Sequence, residues 1–181
     1  MGGLDKGWVE LGGKPLIRHL LERLQPQAAH ILINANRNLD DYASLGCPIV
    51  HDRLAGFPGP LAGFAALLHA CKDEWLAVLP CDSPLLPEDY LQRLLNTAEQ
   101  NPEACIVTAH DGEHIQPVHA LIASRLLADL ESFLQSGGRR VALWYDRHPW
   151  VAADFSDCPE IFANLNRPTD FEHLESLSSG Y

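Results

Sequence analysis

Residues 74–84 read Glu-Trp-Leu-Ala-Val-Leu-Pro-Cys-Asp-Ser-Pro, and this stretch decides the fold class. Residues 75–79 are five consecutive apolar residues, which is typical of a strand covered on both faces, as in a parallel sheet. Pro80 and Pro84 bracket the end of the run, because proline cannot donate to a sheet ladder. Asp82 is therefore expected just past the carboxyl end of a central strand, the edge at which open α/β sheets bind ligands.

Two interpretations of Asp82 remain open on spacing alone. A carboxylate at that edge is well placed to hold Mg²⁺, a hard cation that takes oxygen ligands and shares them with substrate phosphates. Alternatively, Asp82 caps the turn or the helix that is expected to begin after Pro87. The surrounding chain must decide between the two.

Two further apolar runs also end in polar side chains. Residues 30–36 predict a buried strand that closes in Asn34 and Asn36, and residues 48–52 repeat the pattern with Asp52 at the end. Apolar residues at helical spacing predict a helix over residues 15–25, before these strands, and a second helix is predicted from residue 61 to about 72, ahead of the strand at 75–79. Since strands that alternate with helices bring their carboxyl ends to one edge, the three strand ends together predict a site. Taken singly, each asparagine also fits a simple turn.

Two glycine-rich segments and a pair of arginines are candidates for contacting phosphate. Residues 1–7 combine three glycines with Lys6, whose charge suits a phosphate. Residues 56–63, Gly-Phe-Pro-Gly-Pro-Leu-Ala-Gly, lead into a helix whose first amides can face a ligand. Arg139 and Arg140 can bind phosphate bidentately. Each segment also has a simpler interpretation: residues 1–7 as a loose terminus, residues 56–63 as a rigid connector, and the two arginines as a solvated basic patch.

Composition excludes several classes of protein. The chain has 181 residues, of which 46% are hydrophobic, and this suits one globular domain. A net charge of −11 argues against nucleic-acid and anionic-membrane partners. The five cysteines are odd in number and lack C-x-x-C spacing, which is typical of reduced thiols rather than of disulfides or zinc. We therefore expect a cytoplasmic protein that binds no membrane.

Eight motifs occur in order along the chain: Met-Gly-Gly-x-Asp-Lys-Gly at 1–7, Gly-Lys-Pro-Leu at 13–16, Asn-Ala-Asn-Arg at 34–37, Asp52, Pro-Gly-Pro-Leu-Ala-Gly at 58–63, Pro-Cys-Asp-Ser-Pro at 80–84, Arg-Arg-Val at 139–141 and Asn-x-Asn-x-Pro at 164–168. Together they resemble the MobA-type molybdenum cofactor guanylyltransferases. The resemblance implies one nucleotidyltransferase domain over residues 1–175 and a tail over 176–181. It also implies a three-layer, Rossmann-like α/β fold of the nucleotide-diphospho-sugar-transferase type, with a mostly parallel sheet.

The activity that the resemblance implies is transfer of GMP from GTP to molybdopterin, with Mg²⁺ as cofactor and pyrophosphate as the second product. Lys6 and Asp82 would be the catalytic residues, with Lys6 on the GTP phosphates and Asp82 on Mg²⁺. Asn34 and Asp52 would lie along the guanosine. Pro60, Leu61 and Gly63 would shape the nucleotide pocket, and the candidates for the pterin are Arg139, Arg140, Asn164 and Asn166.

The sequence departs from the family at its N-terminus, and two alternatives to the implied activity remain. Family members carry a strand and a Leu-Ala-Gly-Gly loop ahead of Met-Gly-Gly, whereas the sequence as given starts at Met1. The chain is therefore expected to be an N-terminally truncated domain whose sheet lacks its first strand. The alternatives are cytidylyl transfer to the same pterin, and a truncated, non-catalytic module that binds a nucleotide or a partner. Expected partners are GTP, molybdopterin and molybdoenzyme maturation proteins, with the chain acting as a monomer.

Overall fold

The computed structural model describes residues 5–53 and 59–162, in which short strands alternate with helices. The helices are α1 (Leu16–Leu24), α2 (Leu39–Ala43), α3 (Pro60–Ala70), α4 (Tyr90–Gln100), α5 (Leu127–Gln135) and α6 (Val141–Tyr145). The strands are β1 (Glu10–Leu11), β2 (Lys14–Pro15), β3 (Ile33–Asn34), β4 (Ile49–Val50), β5 (Trp75–Val78), β6 (Ile106–His110), β7 (Ile115–Ala123) and β8 (Trp150–Asp154). Single 3₁₀ turns span Lys6–Trp8, Ser124–Leu126 and Pro159–Phe162.

The main sheet has four strands in the order β5-β7-β6-β8. β7 runs antiparallel to both β5 and β6, whereas β6 and β8 are parallel. β3 and β4 form a separate parallel pair, and α3 packs against β3, β4 and β5. The predicted α/β class is thus confirmed, with a sheet that is mixed in the described part of the chain.

The direction of β5 corrects one expectation from its sequence. The continuous apolar run predicts a strand in a parallel sheet, but β5 pairs antiparallel with β7. The run is apolar because both faces of β5 are covered: Ala77 and Leu79 join the core with α1 and α4, and Leu76 and Val78 join the core with α3 and α5. An apolar run therefore reports coverage by helices and not strand direction.

Helices on both faces of the sheet give the three layers that the sequence predicts. The apolar stripe of α1 is buried at Leu16, Ile17, Leu20, Leu21 and Leu24, and the helix lies within the predicted residues 15–25. The strands predicted over 30–36 and 48–52 are shorter, with two residues each in β3 and β4. In the part of the chain that the structure describes, no helix is long and apolar enough to span a membrane.

Several predicted features lie outside the described residues. They are residues 1–4 of the first glycine-rich segment, residues 54–58 before α3, and everything from residue 163 onward, which includes the second Asn-x-Asn motif and the tail.

Candidate functional site

Lys6 and Asp82 form an ion pair at the end of β5, with 2.9 Å between Lys6 Nζ and Asp82 Oδ2. Asp82 lies in a turn four residues after β5 ends at Val78, as its sequence predicts. Its side chain is only 10% exposed, whereas that of Lys6 is 48% exposed. The ammonium group can therefore move toward a ligand from outside while the carboxylate stays fixed.

Asp5 anchors the turn that carries Lys6 to helix α2. Its carboxylate accepts hydrogen bonds from the Tyr42 hydroxyl at 2.7 Å and from Asn38 Nδ2 at 3.0 Å, and Arg37 Nε lies 3.7 Å away. Burial, followed by the hydrogen bond to Asp5, raises the pKa of Tyr42 far above its ordinary value. The phenol therefore stays protonated and remains a donor to Asp5.

Asp52 lies between two asparagines at the ends of β3 and β4. Asn34 Nδ2 donates to Asp52 Oδ1 at 3.0 Å, and Asn36 Nδ2 donates to Asp52 Oδ2 at 2.9 Å. The Asp52 backbone amide donates back to Asn36 Oδ1 at 2.9 Å. Both carboxylate oxygens thus have a partner, so the orientation of Asp52 is fixed before any ligand binds.

The segment 34–38 joins these two groups of side chains. Its first two asparagines bind Asp52, and its last two residues contact Asp5. Since Asp5 directly precedes Lys6, a continuous path of contacts runs from Asp52 to Asp82. The structure therefore links Lys6, Asp82, Asn34 and Asp52 through a series of contacts, and their roles on phosphate, metal and nucleoside stay predictions.

Two glycines allow close approach inside this site. A Cβ atom at Gly7 would lie 2.6 Å from the Tyr42 hydroxyl, and a Cβ atom at Gly63 would lie 2.7 Å from Asn34 Oδ1. Gly63 is on the second turn of α3, so its lack of a side chain lets the helix pack directly on Asn34. The predicted pocket residue Gly63 is therefore next to the Asp52 cluster.

The other predicted residues at the start of α3 differ in what they can offer a ligand. Pro60 is exposed at the first turn and has no backbone N–H. Leu61 as a whole residue is 1% exposed and packs in the core, so it supports the start of α3 by packing.

Arg139 and Arg140 lie after α5 and are exposed. Arg139 Nη1 donates to the carbonyl oxygens of Leu134 at 3.0 Å and Gly138 at 2.6 Å, which satisfies carbonyl groups at the end of α5. Arg140 directly precedes α6. Asn164 and Asn166 lie outside the described residues, so the pterin side of the site stays a prediction.

The donor atoms suit a magnesium ion that is shared with a substrate. Within residues 5–53 and 59–162, no three His, Cys, Asp or Glu side chains converge as a metal cluster. Mg²⁺ usually binds one or two carboxylates, keeps several waters and takes its remaining ligands from phosphates. The single carboxylate of Asp82, in a side chain that is 10% exposed, fits that arrangement.

Cys81, next to Asp82, is not set up as a nucleophile. Burial, followed by the negative charges of Asp82 and Asp5, raises the pKa of its thiol to about 11. Because the thiolate is the nucleophilic form, a neutral Cys81 is unreactive near neutral pH.

Sequence reasoning missed two residues of this site. Asp5 was only part of a motif, and Asn36 was only a strand end. The sequence could have indicated them only by position, since Asp5 precedes Lys6 and Asn36 lies two residues after Asn34. Their hydrogen-bond partners become clear only from the packing of α2 and the pairing of β3 with β4.

The sequence of the chain is similar to the sequences of MobA-like nucleotidyltransferases. A family model described as "MobA-like NTP transferase domain" matches residues 1–149. A molybdenum cofactor guanylyltransferase of Photobacterium profundum is 45% identical over 174 residues, which cover 96% of this chain and 88% of that protein. One of Vibrio vulnificus is 46% identical over 180 residues, which cover 97% of this chain and 90% of that protein.

Solved structures show the same fold. Molybdopterin-guanine dinucleotide biosynthesis protein A from Archaeoglobus fulgidus has a TM-score of 0.79 at 22% identity, covering 99% of this chain and 93% of that one. A 2-C-methyl-D-erythritol 4-phosphate cytidylyltransferase from Thermus thermophilus has a TM-score of 0.71 at 16% identity, and the match covers 96% of this chain and 94% of that one.

Proposed function

The chain belongs to the family of MobA-like NTP transferases, and we propose that it transfers GMP from GTP to molybdopterin, releasing pyrophosphate. It is a nucleotidyltransferase, and the relatives that match almost its whole length carry the name molybdenum cofactor guanylyltransferase. The observation that carries the proposal is the ion pair between Lys6 and Asp82, which joins a half-exposed cation to a nearly buried carboxylate at the end of β5.

The reaction needs no nucleophile from the protein. An oxygen of the terminal phosphate of molybdopterin attacks the α-phosphorus of GTP in line. The bond from that phosphorus to the β-phosphate oxygen breaks, and pyrophosphate leaves with the electron pair. The new phosphorus–oxygen bond links GMP to the pterin. Catalysis then consists of orienting two anions and stabilising the charge that develops between them.

Lys6 is the group that would meet the triphosphate. The Lys6 ammonium donates a hydrogen bond to Asp82. The larger negative charge of GTP would draw this ammonium from Asp82 onto the phosphates. The anchor formed by Asp5 and Tyr42 limits how far the backbone of Lys6 moves during this exchange. Lys6 therefore neutralises phosphate charge from a fixed base.

Asp82, once released by Lys6, would hold Mg²⁺ together with the phosphates of GTP. A bound Mg²⁺ supplies positive charge and orients the reacting phosphate oxygens. Asp82 contributes a carboxylate whose position is set by its buried turn.

Asn34, Asp52 and Asn36 would bind the nucleoside. Asp52 is held by amide hydrogens on both oxygens, and each oxygen keeps a further lone pair for a ribose hydroxyl or a base N–H group. A preorganised acceptor of this kind binds with little loss of side-chain freedom.

A comparison of nucleotides tests the proposal. Purified chain with Mg²⁺ and molybdopterin should release pyrophosphate with GTP and form a guanine dinucleotide product, detected by mass spectrometry. CTP is the control, and it should react at least tenfold more slowly in kcat/KM, a difference of about 1.4 kcal/mol. Faster turnover of CTP would replace the proposal with cytidylyl transfer, and GTP binding without any turnover would replace it with a binding module.

A further inference from the structure

A chain of hydrogen bonds runs through the core to the turn that carries Asp82. Among the described residues, the buried polar side chains are Ser83, Thr108 and His119. His119 Nε2 lies 3.3 Å from Ser83 Oγ, and His119 Nδ1 lies 3.2 Å from the hydroxyl of the fully buried Tyr90. Burying polar side chains costs free energy unless they form hydrogen bonds, so Ser83, His119 and Tyr90 depend on one another for partners.

An irregularity in β7 places His119 at this point. The pairing of β6 with β7 jumps between Thr108, which faces Ala120, and Ala109, which faces Gln116. His119 is thus in the extra residues of a bulge, a feature that re-aims side chains and is frequent beside active sites. Val78 of β5 also pairs with Ala120, so His119 lies alongside the chain that leaves β5 toward Asp82.

Few polar contacts of side chains tie this turn to the rest of the protein. In the described part of the chain, the side chains of residues 81–85 make two polar contacts: Asp82 with Lys6, and Ser83 with His119. The first contact must break when Lys6 moves to phosphate. The bond between Ser83 and His119 is then the remaining polar contact of the turn, beside the apolar packing of Cys81 and Leu85 on the core.

We propose that His119 is a positioning residue, which fixes the Asp82 carboxylate for metal and phosphate binding by holding Ser83. This inference rests on the proposed function, because it assigns a support to the same site.

The protonation of His119 agrees with a positioning role. Burial lowers its pKa to about 4, so the ring is neutral near pH 7. The buried Tyr90 hydroxyl needs an acceptor for its proton, and Nδ1 fills that need, which puts the ring proton on Nε2 and makes it a donor to Ser83. T-shaped contacts with the rings of Tyr90 and Phe162 keep the imidazole in this orientation.

The test combines two substitutions with one rescue. His119→Phe removes both hydrogen bonds, and Ser83→Ala removes one of them from the other end. Each should raise, by about tenfold, the Mn²⁺ concentration that half-saturates the complex with GTP, measured by electron paramagnetic resonance. A tenfold change in affinity corresponds in free energy to about one net hydrogen bond. His119→Gln keeps a donor and an acceptor, and should recover at least half of the affinity on a logarithmic scale.

Two controls separate positioning from loss of stability. Leu134→Ala removes a buried side chain of α5 that is 1% exposed, and should lower the thermal midpoint while leaving Mn²⁺ affinity within twofold. The double variant of Ser83 and His119 should bind Mn²⁺ no more weakly than the worse single variant, because both act through one bond.

Additive effects of the two substitutions, or an unchanged Mn²⁺ affinity in His119→Phe, would overturn the positioning role. These outcomes are distinct from failure of the proposed function, since metal and GTP binding are measured without molybdopterin. Wild-type chain that binds Mn²⁺ with GTP but forms no product would leave the His119 result valid and refute only the transfer reaction. Wild-type chain that binds no Mn²⁺ in the presence of GTP would refute both.

Discussion

Single side chains at this site are held before any ligand arrives. Asp5 fixes the base of Lys6, two asparagines fix Asp52, and the turn after β5 fixes Asp82. Of the residues proposed for phosphate and metal, Lys6 is the one with a half-exposed side chain. Preorganisation of this kind lowers the reorganisation needed in the transition state, which is how a site without a nucleophile can be effective.

Loss of the Asp82 carboxylate should stop transfer while leaving GTP binding weakly in place. Asp82→Asn keeps the size of the side chain but removes the charge that Mg²⁺ needs. We expect kcat to fall on the order of 10²-fold or more, the usual effect of removing one group that stabilises the transition state. Rates measured with saturating GTP and Mg²⁺ check this, and unchanged turnover would refute the metal assignment.

The anchor of Lys6 can be weakened without touching Lys6. Tyr42→Phe removes the 2.7 Å hydrogen bond to Asp5, leaving Asn38 as a partner. Because Lys6 then starts from a looser base, kcat/KM for GTP should fall about tenfold, with Mn²⁺ affinity changed less. Equal loss in both measurements would mean that Tyr42 supports the whole site and not Lys6 in particular.

His119 should make the free energy of unfolding depend on pH. Its pKa is about 4 in the folded chain against an ordinary 6.5, so the unfolded chain takes up the proton first as pH falls. Stability from this group should therefore be constant above about pH 6.5, fall between 6.5 and 4, and level off below, a total of about 3 kcal/mol.

Urea unfolding at pH 7, 5.5 and 4 measures this loss, and His119→Phe should remove most of it. Carboxylates act at lower pH: hydrogen bonds from Arg147, Trp144 and His148 lower the pKa of Asp129 to about 2, so its stabilisation is lost only below about pH 3.8. An identical slope between pH 6.5 and 4 in the wild type and in His119→Phe would contradict the neutral, buried imidazole.

At the scale of elements, helix α3 and strand β3 meet without a side chain between them. Gly63→Ala would place a Cβ atom 2.7 Å from Asn34 Oδ1 and push the amide away from Asp52. In an ordinary helix interior the same change stabilises by about 0.5–1 kcal/mol. Here we expect destabilisation of about 1–3 kcal/mol and a raised KM for GTP, measured by urea unfolding and steady-state kinetics.

A double variant provides the control for that substitution. Asn34→Ala in the Gly63→Ala background removes the atom that clashes, so the stability lost in Gly63→Ala should return while the KM for GTP stays high. Destabilisation that persists in the double variant would place its cause elsewhere in α3.

The elements that the sequence predicts are those whose patterns depend on burial alone. Helix α1 and the apolar run of β5 follow directly from their patterns, and the polar side chains at the ends of β3 and β4 meet at Asp52. A common site with the end of β5 stays a prediction. Strand direction in β5 and the bulge in β7 were not predictable, because both depend on which strand pairs with which. His119 was missed for the same reason, since its single letter in an apolar run does not reveal Ser83 as its partner.

At the scale of the whole molecule, the site assembles from three parts of the chain that are distant in sequence. The turn at Lys6 packs on α2, the ends of β3 and β4 carry Asp52 and its asparagines, and β5 with β7 carries Asp82 and its support. Helix α3 contacts both the β3–β4 pair and β5, so it sets the distance between the sides that we propose for nucleoside and metal. We expect the Lys6 ammonium, with Arg37 beside Asp5, to let a chain of net charge −11 receive an anionic nucleotide.

The fate of the α-phosphorus of GTP tests direct transfer most closely. The chain is incubated with molybdopterin, Mg²⁺ and GTP labelled at that phosphorus, and the products are separated by chromatography. We predict that all transferred label appears in the guanine dinucleotide form of the pterin, with one unlabelled pyrophosphate released per transfer and no label on the protein. Absence of any labelled dinucleotide, or label that becomes bound to the protein, would contradict in-line transfer at the Lys6–Asp82 site.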